Sequence, residues 1–174
     1  MNQANALHQL LEIESIKQLS LLYSRACDRL DKQLLEKLYW PDGGDDHGIF
    51  KGTAPEYIDW AMNLLSSWTS SHHSNNNFII EMNGPQATGE VGWTGYYRYQ
   101  VDGVATDQVS AGRYLDRYEK RLGEWRIAYR TCISEWSRVV SVETDWREGA
   151  IPANIGRRDD TDLLYALQDR GRRV

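Results

Sequence analysis

Apolar residues recur at three- and four-residue steps through Leu10, Ile13, Ile16, Leu19, Leu22, Tyr23 and Ala26. That stripe predicts an amphipathic helix from about Ala4 to Leu30. A second, short helix is expected from about Lys32 to Tyr39, stopping before Trp40-Pro41. "PDGGDDHGIFKG" is turn chemistry, with Pro, Asp and Gly marking a loop that leads into a short strand at Gly48 to Lys51. Thr53-Ala-Pro-Glu56 then fits a capping box with proline inside the first turn. Tyr57, Trp60, Ala61, Leu64, Leu65 and Trp68 give the helix that follows its apolar face.

After Ser70 the period changes to two, through "HHSNNNFIIEM", "ATGEVGWTGYYRYQ", "QVSAGRYLDRYEKR" and "EWRIAYRTCISEWSRV". Four long strands are expected, broken at Asn83-Gly84-Pro85, Asp102-Gly103 and Leu122-Gly123. Three helices followed by an antiparallel meander define an α+β plan, with helices packed on one face of a curved sheet. Leu19, Leu22, Trp60, Leu64, Ile80 and Ile127 are the expected core. From about Val139 the chain turns polar and loop-rich. The division is therefore a domain over 1–138 and an extension over 139–174 that wraps the core or a neighbouring subunit.

Size and charge narrow the function. A chain of 174 residues with 41% apolar content supports one core of ordinary size. A net charge of −5 argues against a nucleic-acid footprint, which needs clustered Lys and Arg. No apolar run approaches the ~20 residues that span a bilayer, and the N-terminal pattern lacks the apolar block of a signal peptide. The expected location is cytoplasmic, with no membrane or nucleic-acid partner. Cys27 and Cys132 have no ligand-like spacing and read as reduced core residues. Seven Trp and ten Tyr against two Phe suggest rings that line a polar-edged pocket. Long strands rich in these rings on both faces leave apolar surface that one helical layer cannot cover, so a homo-oligomer is expected.

Two clusters carry candidate chemistry. In "SWTSSHHSNNNF", His72 and His73 must point to opposite faces of a strand, so only one can enter a cavity. The other reading is a surface turn at a strand entry. In "DDHG", Asp45, Asp46 and His47 either cap a Gly-rich loop or, for Asp46 or His47, serve a second proton transfer near a pocket mouth. No HxH or HxxxH spacing accompanies them, and no metal site is assigned.

"IESIKQLSLLYSRACDRLD", "LYWPDGGDDHGIFKG", "HSNNNFII" and "GRYLDRYEKRLGEWRIAYR" together resemble the SnoaL-like branch of the NTF2-like superfamily, over roughly Ile13 to Arg138. Among its members the pattern is similar to the cofactor-independent lyases: scytalone dehydratase, the bile acid 7α-dehydratases and hexachlorocyclohexane dehydrochlorinase. The resemblance implies a cone-shaped α+β barrel with an internal pocket, often a homotrimer. It also implies a His–Asp pair that draws a proton from carbon while a leaving group departs. On that basis Asp28 matches the orienting aspartate, Tyr23 the dehydratases' tyrosine, His73 the catalytic histidine and Arg130 a basic residue on the last strand. Where the bile acid dehydratases carry an arginine on that strand, this chain has Ser134. Asn77 is expected in the pocket because it shares the face of His73, and Trp60, Trp68 and Trp136 are expected in the core and pocket wall.

The resulting expectation is a lyase that needs no cofactor and eliminates by proton transfer from a hydrophobic aromatic or polycyclic molecule. Dehydration, dehydrohalogenation and carbon–carbon cleavage such as deformylation all fit, and isomerase chemistry is closely related. The alternative is a non-catalytic ligand-binding protein, or a module like the β-subunit of ring-hydroxylating dioxygenases. The two differ over whether His73 and Asp28 are close enough to bond.

Overall fold

A computed structural model describes residues 2–142 and 155–171, with side chains through 168. The first helix, α1 (Gln3–Arg29), starts at an Asn2 cap and ends where Leu30 turns left-handed, and its Ile16, Leu19, Tyr23, Ala26 and Cys27 are buried. A short α2 (Lys32–Leu38) and α3 (Ala54–Ser66) complete the N-terminal helices. The Thr53–Glu56 box caps α3, with the Thr53 amide donating to Glu56 Oε2 at 2.9 Å. A further helix, α4 (Leu163–Gly171), lies at the C-terminal end.

The "PDGGDD" segment differs from its expected loop, for it lies in a strand, β1 (Tyr39–Asp46), that pairs with the short β2 (Lys51–Thr53). Its composition hides this, since β1 has no alternating apolar pattern. Gly43 is there for contact: a Cβ would stand 2.8 Å from the Ala128 carbonyl oxygen of the neighbouring strand. The long strands are β3 (Ser70–Asn83), β4 (Gln86–Val101), β5 (Val104–Arg121) and β6 (Glu124–Ser141). Both residues of the Asp102-Gly103 and Leu122-Gly123 turns have positive φ, the mirror-image turn that suits the twist of a hairpin.

The sheet order is β2-β1-β6-β5-β4-β3, antiparallel throughout except where β1 runs parallel to β6. The fold is therefore α+β, an NTF2-like curved sheet packed on N-terminal helices. The sheet stays open, with β2 and β3 as its edges. Leu19 and Ile127 are buried as expected, while Leu22, Trp60, Leu64 and Ile80 are half-buried. Trp60 and Leu64 owe this to a cavity they help to wall.

Residues 155–168 lie against α1. Arg29 Nη1 donates to the Arg157 carbonyl at 2.6 Å and pairs with Asp162 at 3.6 Å. Both cysteines are free. Among the described residues, no helix is long and apolar enough to cross a membrane.

Candidate active site

An aromatic cavity of about 110 Å³ lies between the helices and the sheet. The rings of Tyr23, Tyr57, Trp60, Trp68, Trp93, Tyr97 and Tyr114 wall it, and His47 and His73 both reach it. Two larger depressions, each lined by Glu81, Thr88 and Arg117, contain neither histidine.

His73 is held by Asp28 through two bonds. Its main-chain N–H donates to Asp28 Oδ2 at 2.8 Å, and its ring Nδ1 lies 2.7 Å from Oδ1. A carboxylate only accepts, so Nδ1 carries the proton and Nε2 is left to accept, 3.2 Å from the Tyr97 hydroxyl. Both side chains are more than nine-tenths buried. Burial pushes the Asp28 carboxyl upward, but the hydrogen bonds and charge of His73 outweigh it and hold the group below the ordinary carboxylate range. His72 faces out from the opposite side of β3.

A second imidazole–carboxylate pair reaches the same cavity. His47 Nδ1 is bonded to Asp45, whose other oxygen accepts from the Tyr39 hydroxyl at 2.7 Å. His47 Nε2 lies 3.4 Å from the Tyr23 hydroxyl and 3.3 Å from that of Tyr57, and these two phenols bond to each other. The His47 ring stacks on Tyr57, with centroids 4.7 Å apart.

Here the neighbouring residue replaces the one read from sequence. Asp46 points outward to Lys51 at 2.9 Å and caps the Gly48 amide, because strand alternation turns Asp45 inward instead. Asp45 could have been found by applying the β-period to "DDHG", had the segment been read as a strand.

Asn77 is likewise displaced. It sits at a β-bulge with φ 49° and is exposed. Asn75, two residues on from His73, keeps the inward face and bonds to Ser24 of α1, and beyond the extra residue at Asn77 the alternation is reversed, so that Phe78 takes the inward face. Trp136 is 53% exposed, because β6 runs past the helical layer and residues 134–141, Ser134 included, are exposed.

Arg130 does not line the cavity. It is fully buried behind it, with Nε and Nη2 donating to Asp116 at 2.7 Å each. Its guanidinium lies 4.2 Å from the Tyr23 ring centroid and 4.0 Å from that of Tyr114. Tyr23 and Trp60 do line the cavity, as expected for those positions.

Burial, as the largest cause, drives the hydroxyls of Tyr23, Tyr57, Tyr97 and Tyr114 well above the usual phenol range, so each remains a hydrogen-bond donor at neutral pH. Burial also pushes the Cys27 and Cys132 thiols up to about 12. Thiols so raised are not nucleophiles at neutral pH. Among the described residues, no three or more His, Cys, Asp or Glu side chains are grouped to hold a metal ion.

A curved sheet over helices, enclosing an apolar pocket with buried imidazoles, defines the class as an NTF2-like pocket protein. Residues 8–131 match the SnoaL-like domain, and the chain belongs to that family. No curated protein matches it in sequence. Among solved structures it is similar to a hexachlorocyclohexane dehydrochlorinase, LinA type 2, with 20% identity, 85% of this chain and 99% of that one covered, and a TM-score of 0.74. A type 3 dehydrochlorinase from Novosphingobium barchaimii LL02 gives 19% identity, 80% and 96% coverage and a TM-score of 0.70. A protein named for scytalone dehydratase, from Novosphingobium aromaticivorans DSM 12444, gives 20% identity, 78% and 92% coverage and a TM-score of 0.68. At these identities the likeness shows the fold.

Proposed function

We propose that this chain is a cofactor-independent lyase that eliminates an oxygen leaving group from a small hydrophobic, aromatic-containing molecule. The observation that carries the reading is the convergence of two imidazole–carboxylate pairs on one aromatic cavity. Membership of a family whose structural neighbours include enzymes named as dehydratase and dehydrochlorinase supports the lyase class.

In this reading His73 is the base. Its Nε2 accepts a proton from substrate carbon, and Asp28 fixes the tautomer and stabilises the imidazolium that forms. Tyr97 donates to negative charge developing on the substrate. A halide departs without a proton, whereas hydroxide and alkoxide are poor leaving groups until protonated. A second imidazole backed by a carboxylate meets that need, so His47 acts as the acid, with Tyr23 and Tyr57 as donors around it. This favours dehydration or loss of an alkoxide over dehydrohalogenation.

The test is a panel of hydroxylated aromatic and polycyclic compounds, followed by ultraviolet absorbance for new conjugation and by mass for the lost fragment. The expected result is elimination with wild-type protein and none with His73→Ala. Compounds that bind and raise thermal stability without being converted by the wild type would support the ligand-binding alternative instead.

A further inference from the structure

The polar ends of two helices meet beside the His73–Asp28 pair, and one side chain from the C-terminal segment satisfies both. The last four carbonyls of any helix have no partner within it. At the end of α1, Ala26 and Cys27 are served by the Leu30 amide, and the Ala26 carbonyl also by that of Asp31. The Asp28 carbonyl is instead met by Arg158 Nε at 3.3 Å. Arg158 Nη1 donates to the Leu65 carbonyl at 2.9 Å, in the last turn of α3, and to the Trp68 carbonyl at 2.7 Å just beyond it. Its Nη2 donates to Ser71 Oγ at 3.1 Å, two residues before His73 on β3.

We infer that Arg158 is a positioning residue for the His73–Asp28 pair: its guanidinium clamps the C-terminal ends of α1 and α3 to the start of β3. The inference rests on the proposed role of that pair. A cation at two helix C-termini is favoured by both dipoles, and a planar fork with five donors reaches partners in several directions at once. A lysine ammonium carries the charge without that reach. The residue touches the main chain of Asp28 itself and the strand segment that carries His73, so rigidity passes directly to the bond between their side chains. Arg158 makes no contact with the His47–Asp45 pair among the hydrogen bonds and ion pairs described.

The second pair supplies the internal control. In the full-length, isotope-labelled protein, proton NMR follows the ring Nδ1–H of His73 and of His47, each bonded to its carboxylate, by its exchange with solvent. In Arg158→Met the His73 signal should exchange about tenfold faster or vanish, a local opening of roughly 1.4 kcal/mol, while the His47 signal holds its wild-type rate. If Arg158→Met does not fold, Arg158→Lys decides, and its His73 signal should still exchange measurably faster than wild type. A folded variant with the His73 signal unchanged would overturn the proposal. So would equal acceleration of both signals, which marks general loosening. The signal reports the geometry of the pair whether or not a substrate is turned over, so absent lyase activity and absent clamping give different results.

Discussion

Asp28 receives both the main-chain amide and the ring of His73, so one carboxylate fixes where the strand lies and which way its imidazole faces. The two residues should behave as one unit in catalysis. His73→Ala and Asp28→Asn are each expected to lower turnover by about 10²–10⁴-fold, and the double variant to be hardly worse than either. Steady-state kinetics on a substrate from the panel checks this, with His72→Ala close to wild type.

The same carboxylate links stability to pH. Its folded-state pKa is depressed, so its contribution is fully present above the unfolded value and is lost as pH falls through the folded one. Urea midpoints should therefore drop for the wild type below about pH 4. Asp28→Asn, less stable at neutral pH, should show a shallower fall over that range. Parallel curves for the two proteins would contradict the assignment.

His47 and Asp45 should separate leaving groups. His47→Gln is expected to lose about 10²-fold or more in activity with a hydroxyl leaving group. With a halide at the same position the variant should stay within a few-fold of wild type. Equal losses on both substrates would assign His47 to binding instead of acid catalysis.

Arg130 and Asp116 form a fully buried pair. Arg130→Met strands a carboxylate and should cost about 3–5 kcal/mol by chemical denaturation. Adding Asp116→Asn should restore a substantial part of that loss, since the stranded charge is what the single change leaves behind.

At the bulge, Asn77→Gly should be neutral or slightly stabilising and Asn77→Val destabilising by about 1 kcal/mol or more, because φ is positive there. Neither should alter turnover, as the side chain lies outside the cavity.

Much of this was legible from period and punctuation. The helical stripe from Leu10 to Ala26, the capping box at Thr53 and the two-residue turns give the order of the N-terminal helices and the four long strands, because each is a local property of the chain. The roles expected of His73, Asp28 and Tyr23 come from the family resemblance, with strand alternation separating His73 from His72, and Trp60 comes from the apolar stripe of α3. Asn77 and Asp46 depart from the sequence reading for one reason: alternation is counted from a register, and neither the bulge at Asn77 nor the strand hidden in "PDGGDD" leaves an apolar signature. The strand of Arg130 is legible from the period-two pattern, but its depth behind Tyr23 and Tyr114 depends on how rings stack across elements. The His47–Asp45 pairing needed the fold of β1, and Arg158 lies where sequence offers no periodicity at all.

The strand order carries one mechanical consequence. His47 follows β1 and His73 sits on β3, and four inter-strand spacings separate those strands, roughly 19 Å if the sheet were flat. Both nevertheless reach one small cavity, so the gap between the two imidazoles is a gauge set by how far β6, β5 and β4 curl. Gly112, at an irregularity in the β5–β6 pairing, lies where a Cβ would come 1.9 Å from the Ile133 carbonyl oxygen. A side chain there would flatten or twist the callipers without touching either jaw, and the width of the cavity would shift with the bend of the sheet.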